Sequence, residues 1–427
     1  MRRRLLFSSA FAATSSLLLP TLPTSAQATE TAAPADEIRG YAVAIGGALR
    51  NDNDEVWQRV VDLAGGPGAR FVVLGTASED PEASGRWVSR LLTRRGAVAE
   101  VLPVGYKFAG IDPKDAVRDP KLIEKVRQAR GVFFTGGSQE RIVDLLQPGG
   151  QSTPLLDAIW ALYRSGGVVA GSSAGAAIMS RAMFRDAPNI VDVMKGQWSE
   201  GKHVDRGLGF VGPELFVDQH FLRRGRVGRM IPLMIAKGYR LGLGVDENTA
   251  AIVHGDEIEI IGGSGALLVD LVDAHSDPSL GVFNVTGARL NYLDHGDRYR
   301  LRTGTITPSA AKLRGERLQP GTPGFEPYYT EERFDLDILG DSTLLRAMAQ
   351  LIDSVKPEVQ GLAFDARVKP GVPLADLGFH FRLYKAADTM GWGSTEAGVE
   401  EYTVLNVRLD VTPVRMATPL YGGWKPS

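Results

Sequence analysis

From residue 38 to about residue 240 the chain alternates strand-like and helix-like segments, with glycines at the strand ends. This alternation limits the fold more than any other feature. Strands are expected at 41–46, 70–74, 100–104, 131–135 and 167–170, and helices at 54–63, 81–94, 115–130, 140–146 and 154–165. A strand–helix alternation of this kind implies an α/β fold, a mainly parallel sheet with helices on both faces. In such sheets a ligand crevice lies beyond the carboxyl ends of the strands. The turns at Gly46-Gly47, Gly136-Gly137 and Ser173 all follow strands, so they should converge there.

Beyond residue 240 the pattern becomes β-rich, with strands expected at 241–245, 250–253, 257–261, 267–272 and 298–302, mostly as antiparallel hairpins. A stretch rich in Pro, Gly and Thr at 306–328 reads as a linker. It leads to a C-terminal β-rich module, 329–427, with one helix at 342–354 and alternating runs at 378–384 and 402–412. With 427 residues, 44% of them hydrophobic, the chain has material for a large core and two or three domains.

The amino terminus reads as an export signal. Arg2, Arg3 and Arg4 precede an apolar stretch at 5–19, and small residues offer cleavage after Ala26 or Ala28. We expect a signal peptide at 1–26, by the general or the twin-arginine route, then a flexible lead-in at 27–37 and a catalytic domain at 38–305. The apolar stretch is short for a membrane span, so the mature chain is expected to be secreted or periplasmic, without stable membrane insertion. A net charge of −2 argues against nucleic acid as a partner. The absence of cysteine removes thiol nucleophiles, cysteine-type zinc sites and disulfides.

Residues 167–177 read Gly-Val-Val-Ala-Gly-Ser-Ser-Ala-Gly-Ala-Ala. A short β-branched strand runs through a tight turn of small residues into a helix former, which is the pattern of a nucleophile elbow with Ser173 at its tip. A serine nucleophile needs a base, and the base needs an orienting group. Of the six histidines, His220 stands out, because it closes Asp218-Gln219-His220 and is followed by Arg223, Arg224, Arg226 and Arg229. Arg226 and Arg229 would share a helix face able to grip a carboxylate, unless Pro232 breaks that helix; a solvated basic face is the plainer alternative. Asp246 and Glu247, in a turn between two strands, are both available as the orienting acid. The Gly136-Gly137-Ser138-Gln139 turn can supply a second oxyanion donor beside the Ala174 N–H, or serve only packing.

Taken together, Phe133-Phe134-Thr135-Gly136-Gly137-Ser138-Gln139, Gly171-Ser172-Ser173-Ala174-Gly175, Asp218-Gln219-His220-Phe221 with the arginines after it, and Gly244-Val245-Asp246-Glu247-Asn248-Thr249 resemble, in order and spacing, the cyanophycinase-type S51 serine peptidases. The resemblance spans roughly residues 38–305. It implies a fold like that of class I glutamine amidotransferases, with serine in place of cysteine, and a serine exopeptidase needing no metal or organic cofactor. It implies Ser173 as nucleophile, His220 as base, Glu247 as orienting acid, and Gly137 and Ala174 as the oxyanion hole. Gln139, Asp218, Gln219, Arg224, Arg226 and Arg229 would line the substrate site, with Asp218 receiving a substrate guanidinium.

The implied substrate is cyanophycin, a poly-aspartate carrying arginine on its side chains, or short aspartyl-arginine peptides; the product would be β-Asp-Arg, and the assembly a homodimer. Ser138 stands where the family motif often has aspartate, which changes how a cationic substrate group is held, and Ser172 where it often has threonine. An aspartyl or isoaspartyl dipeptidase, or a non-catalytic binding protein on the same fold, are the competing expectations.

Overall fold

The computed structural model describes residues 38–366, 371–396, 398, 400–417 and 420; the expected signal and lead-in lie outside them. Strands β1 (Tyr41–Ile45), β2 (Arg70–Leu74), β3 (Val98–Leu102), β4 (Gly131–Phe134) and β5 (Val168–Ser172) pair in parallel in the order β1-β5-β4-β2-β3. Helices α1 (Asp54–Leu63), α2 (Pro81–Arg94), α3 (Pro113–Ala116), α4 (Pro120–Gln128), α5 (Gln139–Leu146) and α6 (Pro154–Arg164) connect them. Alternate residues of the strands feed two cores. Val43, Ile45 and Phe133 pack beside Val60 and Trp57, whereas Ala44, Leu74 and Phe134 pack beside Ile123 and Ile159. A sheet covered on both faces needs apolar residues at every inner strand position, which is why β1, β4 and β5 are buried along most of their length, whereas the edge strand β3 is mostly not.

The helix starts follow from local chemistry. Asn53, Asp80 and Thr153 accept from backbone N–H groups in the first turns of α1, α2 and α6. The single helix expected at 115–130 is two, because Asp119-Pro120 starts a new one: proline fits the first turn but disfavours helix in the residue before it.

The β5 turn opens α7 (Ala174–Ala177), followed by the hairpin of β6 (Ala182–Phe184) and β7 (Val204–Arg206), with α8 (Ile190–Met194) between. Strands β8 (Leu215–Gln219) and β9 (Leu241–Val245) are parallel neighbours joined by α9 (Val227–Lys237), which continues through Pro232. They do not extend the first sheet. That sheet is completed by antiparallel β10 (Thr249–His254), β11 (Glu257–Gly262), β14 (Arg298–Arg300) and β15 (Thr305–Thr307), in the order β15-β14-β11-β10-β1. The expected mainly parallel sheet is present, its five parallel strands carrying an antiparallel flank.

A second, ten-stranded sheet begins with β8 and β9 and continues through β12 (Ala266–Asp270) and β13 (Val285–Leu293). After β14 (Arg298–Arg300), β15 (Thr305–Thr307) and α10 (Ala310–Arg314) come β16 (Glu316–Leu318), β17 (Phe334–Asp335), α11 (Thr343–Ile352), β18 (Glu358–Ala363), β19 (Leu377–Tyr384), β20 (Met390–Ser394) and β21 (Glu401–Arg415). β16 to β21 all join this second sheet, and β21 lies directly against β13. The linker and separate C-terminal module expected from composition are thus replaced by one continuous unit over the described residues from Ile38 onward. The reason is long-range pairing: β21 meets a strand more than a hundred residues earlier, which local composition cannot signal.

Buried polar groups pin this union. Lys312 and Asp297, both 0% exposed, form an ion pair of 2.7 Å, and Asp297 also accepts from Thr403 Oγ1 of β21 at 2.6 Å. Val217, Leu243, Val245 and Leu268 of the second sheet share a core with Ala42 and Ala44 of the first. This packing sets the ends of β8 and β9 over the carboxyl end of β1.

Candidate active site

Three side chains meet at that junction. Ser173 Oγ lies 2.9 Å from His220 Nε2, and His220 Nδ1 lies 2.6 Å from Glu247 Oε1. Ser173 sits at the β5–α7 turn with φ 55° and ψ −108°, a conformation costly for a residue with a side chain. His220 ends β8 with φ 48°, and Asn248, next to Glu247, has φ 57°. One short segment holds all three positions. The carbonyl of Ile45 accepts from Ser173 N (2.9 Å), that of Gly46 from His220 N (2.8 Å) and that of Gly47 from Asn248 N (2.8 Å). The end of β1 is a backbone template for the site.

Gly47 also makes room for the imidazole. A methyl group there would lie 2.2 Å from His220 Cε1, and its φ of 109° favours glycine independently. Gly47 was visible in the sequence only as part of a strand-end glycine pair.

Between Asp246 and Glu247, the structure puts Glu247 against His220. Asp246 is buried and accepts instead from Arg223 N at 3.2 Å. Arg223, part of the basic run, spans to Glu247 Oε2 (3.9 Å) and to Asp341 (3.4 Å), so the C-terminal part of the chain reaches the site. Asp341 was not singled out, because no local motif marks it.

Ala174 is the first residue of α7, so its N–H has no intrahelical acceptor. Gly137 follows β4 with φ 141°, and a Cβ there would sit 2.1 Å from the Ala77 carbonyl oxygen. Gly136 packs beside the nucleophile, a Cβ on it lying 3.2 Å from Ser173 Cβ. The Gly136-Gly137 turn and Ala174 therefore flank Ser173, as two oxyanion donors must.

The remaining expected substrate residues divide. Asp218 is 2% exposed, and its carboxylate is gripped by Arg229 (2.7 and 2.6 Å) with Arg226 at 3.4 Å. The expectation that Asp218 receives a substrate guanidinium is corrected here: the carboxylate already holds the protein's own. Burial pushes the Asp218 carboxyl up, but the Arg229 and Arg226 charges outweigh it and hold it below the usual range. Arg229 is buried and stacks over Phe184 at 4.4 Å, while Arg226 donates to both oxygens of Gln219, including the backbone one at 2.7 Å. Gln139 Nε2 donates to the Phe184 carbonyl at 2.7 Å. Arg224, by contrast, is exposed and carries no ion pair among the described residues.

Asp218→Asn should therefore act on stability, lowering it by about 2–3 kcal/mol by leaving Arg229 buried beside a neutral amide. Urea unfolding measures this. Full stability together with a raised KM would restore direct substrate contact.

Residues 43–261 match the model of Peptidase family S51, more than half of the chain. The chain is 33% identical over 280 residues to a cyanophycinase of Geminocystis herdmanii (strain PCC 6308), covering 62% of this chain and 95% of that one. It is 30% identical over 268 residues to a cyanophycinase of Trichormus variabilis (strain ATCC 29413 / PCC 7937), covering 61% and 84% respectively. Among solved structures, a peptidase from an acI-B1 Actinobacterium aligns at a TM-score of 0.43 and 20% identity, over 54% of this chain and 91% of its own. The chain belongs to peptidase family S51 and is a serine peptidase.

Proposed function

We propose that this peptidase cleaves cyanophycin to β-Asp-Arg through an acyl-enzyme, with Ser173 as nucleophile, His220 as base and Glu247 as orienting acid. The observation that carries the reading is the continuous Ser173–His220–Glu247 relay, 2.9 and 2.6 Å, at the tip of an elbow. The cyanophycinase relatives support the substrate. Ser173 Oγ attacks the backbone carbonyl carbon as its proton passes to His220 Nε2. Glu247 stabilises the imidazolium through Nδ1, and the N–H groups of Gly137 and Ala174 take the oxyanion. On collapse of the intermediate the C–N bond breaks, His220 returns the proton to the leaving amine, and water, activated by the same histidine, releases the acyl group. Arg224 is placed for a substrate carboxylate. Export across the inner membrane and a homodimeric assembly belong to this reading.

Burial, reinforced by the charges of Arg224 and Arg226, lowers the His220 pKa below 6.5 against the opposing pull of Glu247. The base form then persists into mild acid, and the acid limb of kcat/KM should fall below pH 6.5. A pH–rate profile on a soluble substrate checks this, and a limb above pH 7 would contradict it.

The direct test of function is mass analysis of the soluble products from insoluble cyanophycin. Release of β-Asp-Arg by the wild type, lost in Ser173→Ala, is the expected result. Cleavage of short aspartyl peptides with no release from polymer would replace cyanophycin by a dipeptidase substrate.

A further inference from the structure

A second concave surface lies outside the part of the chain that the family model matches. It is a cleft of about 760 Å³ formed by α10, β16, Tyr328 and Tyr329, Asp353 at the end of α11, and the residues Ser394, Glu396, Glu400 and Tyr402 around the β20–β21 turn. Three tyrosines line it, Tyr328, Tyr329 and Tyr402, together with the carboxylates of Glu316, Asp353, Glu396 and Glu400. Arg314 is the one basic residue in the lining, and it is held by Glu396 at 2.8 Å. Glu316, Asp353 and Glu400 have no ion-pair partner among the described residues. Tyr328 is 79% exposed and Tyr329 38%, their rings edge to face at 4.9 Å, an aromatic pair that folding leaves in water.

Uncompensated carboxylates beside open aromatic faces match one chemistry well. A guanidinium is planar: it is held in its plane by carboxylates and over its face by tyrosine rings. An isolated arginine would gain little at so open a site. A polymer presenting guanidinium groups repeatedly would engage several of these residues at once.

The sheet gives the cleft a fixed position relative to the triad. Val245, two residues before Glu247, pairs with Ala266, which pairs with Leu293; the neighbouring Tyr292 pairs with Val404. The start of β21, with Tyr402, and the paired end of β20 at Ser394 thus lie at the same end of the sheet as Glu247. β9 and β21 are three strand spacings apart, about 14 Å, and β20 and β16 lie one and two spacings further on, a span an extended polymer covers in about four to seven residues.

We propose that this cleft is a docking site for the arginine-bearing polymer, holding cyanophycin beside the catalytic centre without taking part in hydrolysis. The proposal rests on the substrate reading above. Its gain is one of effective concentration: a chain held at the cleft is presented repeatedly to Ser173.

The test separates docking from catalysis. In the Ser173→Ala protein, co-sedimentation with insoluble cyanophycin should fall about fivefold or more on adding Glu316→Gln with Glu400→Gln, and similarly on adding Tyr328→Ala. Soluble poly-L-arginine should displace the bound protein, and poly-L-aspartate should not. In the active protein the same changes should slow breakdown of the insoluble polymer while leaving kcat/KM on a soluble β-Asp-Arg oligomer within twofold. Tyr328 is largely exposed, so its replacement guards against misfolding as the cause. Unchanged sedimentation in both variants, equal displacement by poly-L-aspartate, or a parallel loss on polymer and oligomer would each overturn the proposal. If the wild type hydrolyses neither form, the substrate reading fails, and sedimentation still decides the cleft.

Discussion

Ser173→Gly should abolish hydrolysis and yet give a protein about 1 kcal/mol more stable than Ser173→Ala. Both changes remove the hydroxyl that lies 2.9 Å from His220, so both should lower kcat by about 10⁴-fold or more. They differ in the backbone. Alanine keeps a Cβ at φ 55° and ψ −108°, a strained conformation that glycine adopts freely. The comparison therefore isolates the strain stored at the elbow from the hydrogen bond lost with the hydroxyl. Chemical denaturation of the two variants, side by side, gives the number. Equal stabilities would show that the turn carries no strain, and residual hydrolysis in either would remove Ser173 from the role of nucleophile.

Gly47→Ala is expected to lower kcat/KM by about 10²-fold with the triad residues themselves intact. The added methyl would sit 2.2 Å from the His220 ring, so either the imidazole or the end of β1 must move. Both disturb the same machinery, because the end of β1 and the turn after it hold Ser173, His220 and Asn248 through the consecutive carbonyls of Ile45, Gly46 and Gly47. Displacement of the ring by about 1 Å is enough for a loss of this size, since proton transfer requires hydrogen-bond reach. A steady-state assay on a soluble substrate, with circular dichroism to show that the fold survives, is sufficient. Wild-type activity would mean that the ring tolerates displacement.

The parallel strands and their helices were legible because local signals agreed: β-branched runs, glycines at strand ends, and capping residues such as Asp80-Pro81. Ser173 and His220 stood out because each sits in a compact motif, whereas the choice of Glu247 over Asp246 came only from the family resemblance. Two matters were not legible. Asp218 looked like an open carboxylate because sequence does not show that Arg229, eleven residues on in the first turn of α9, folds back onto it. The C-terminal strands looked like a separate module because β21 finds its partner β13 only in three dimensions. Composition reads the neighbourhood of a residue along the chain, and both errors concern neighbours that only the fold brings together.

The place of β21 bears on when, as well as where, this enzyme comes into being. Until residues 401–415 have been synthesised, β13 is a nine-residue sheet edge with apolar flanks, and the buried Asp297 lacks its Thr403 donor. Such an edge invites pairing with other chains. A nascent chain that already contains Ser173, His220 and Glu247 therefore still lacks the strand that closes their supporting sheet. A chain that stops short of residues 401–415 is therefore expected to be aggregation-prone, not a smaller working enzyme.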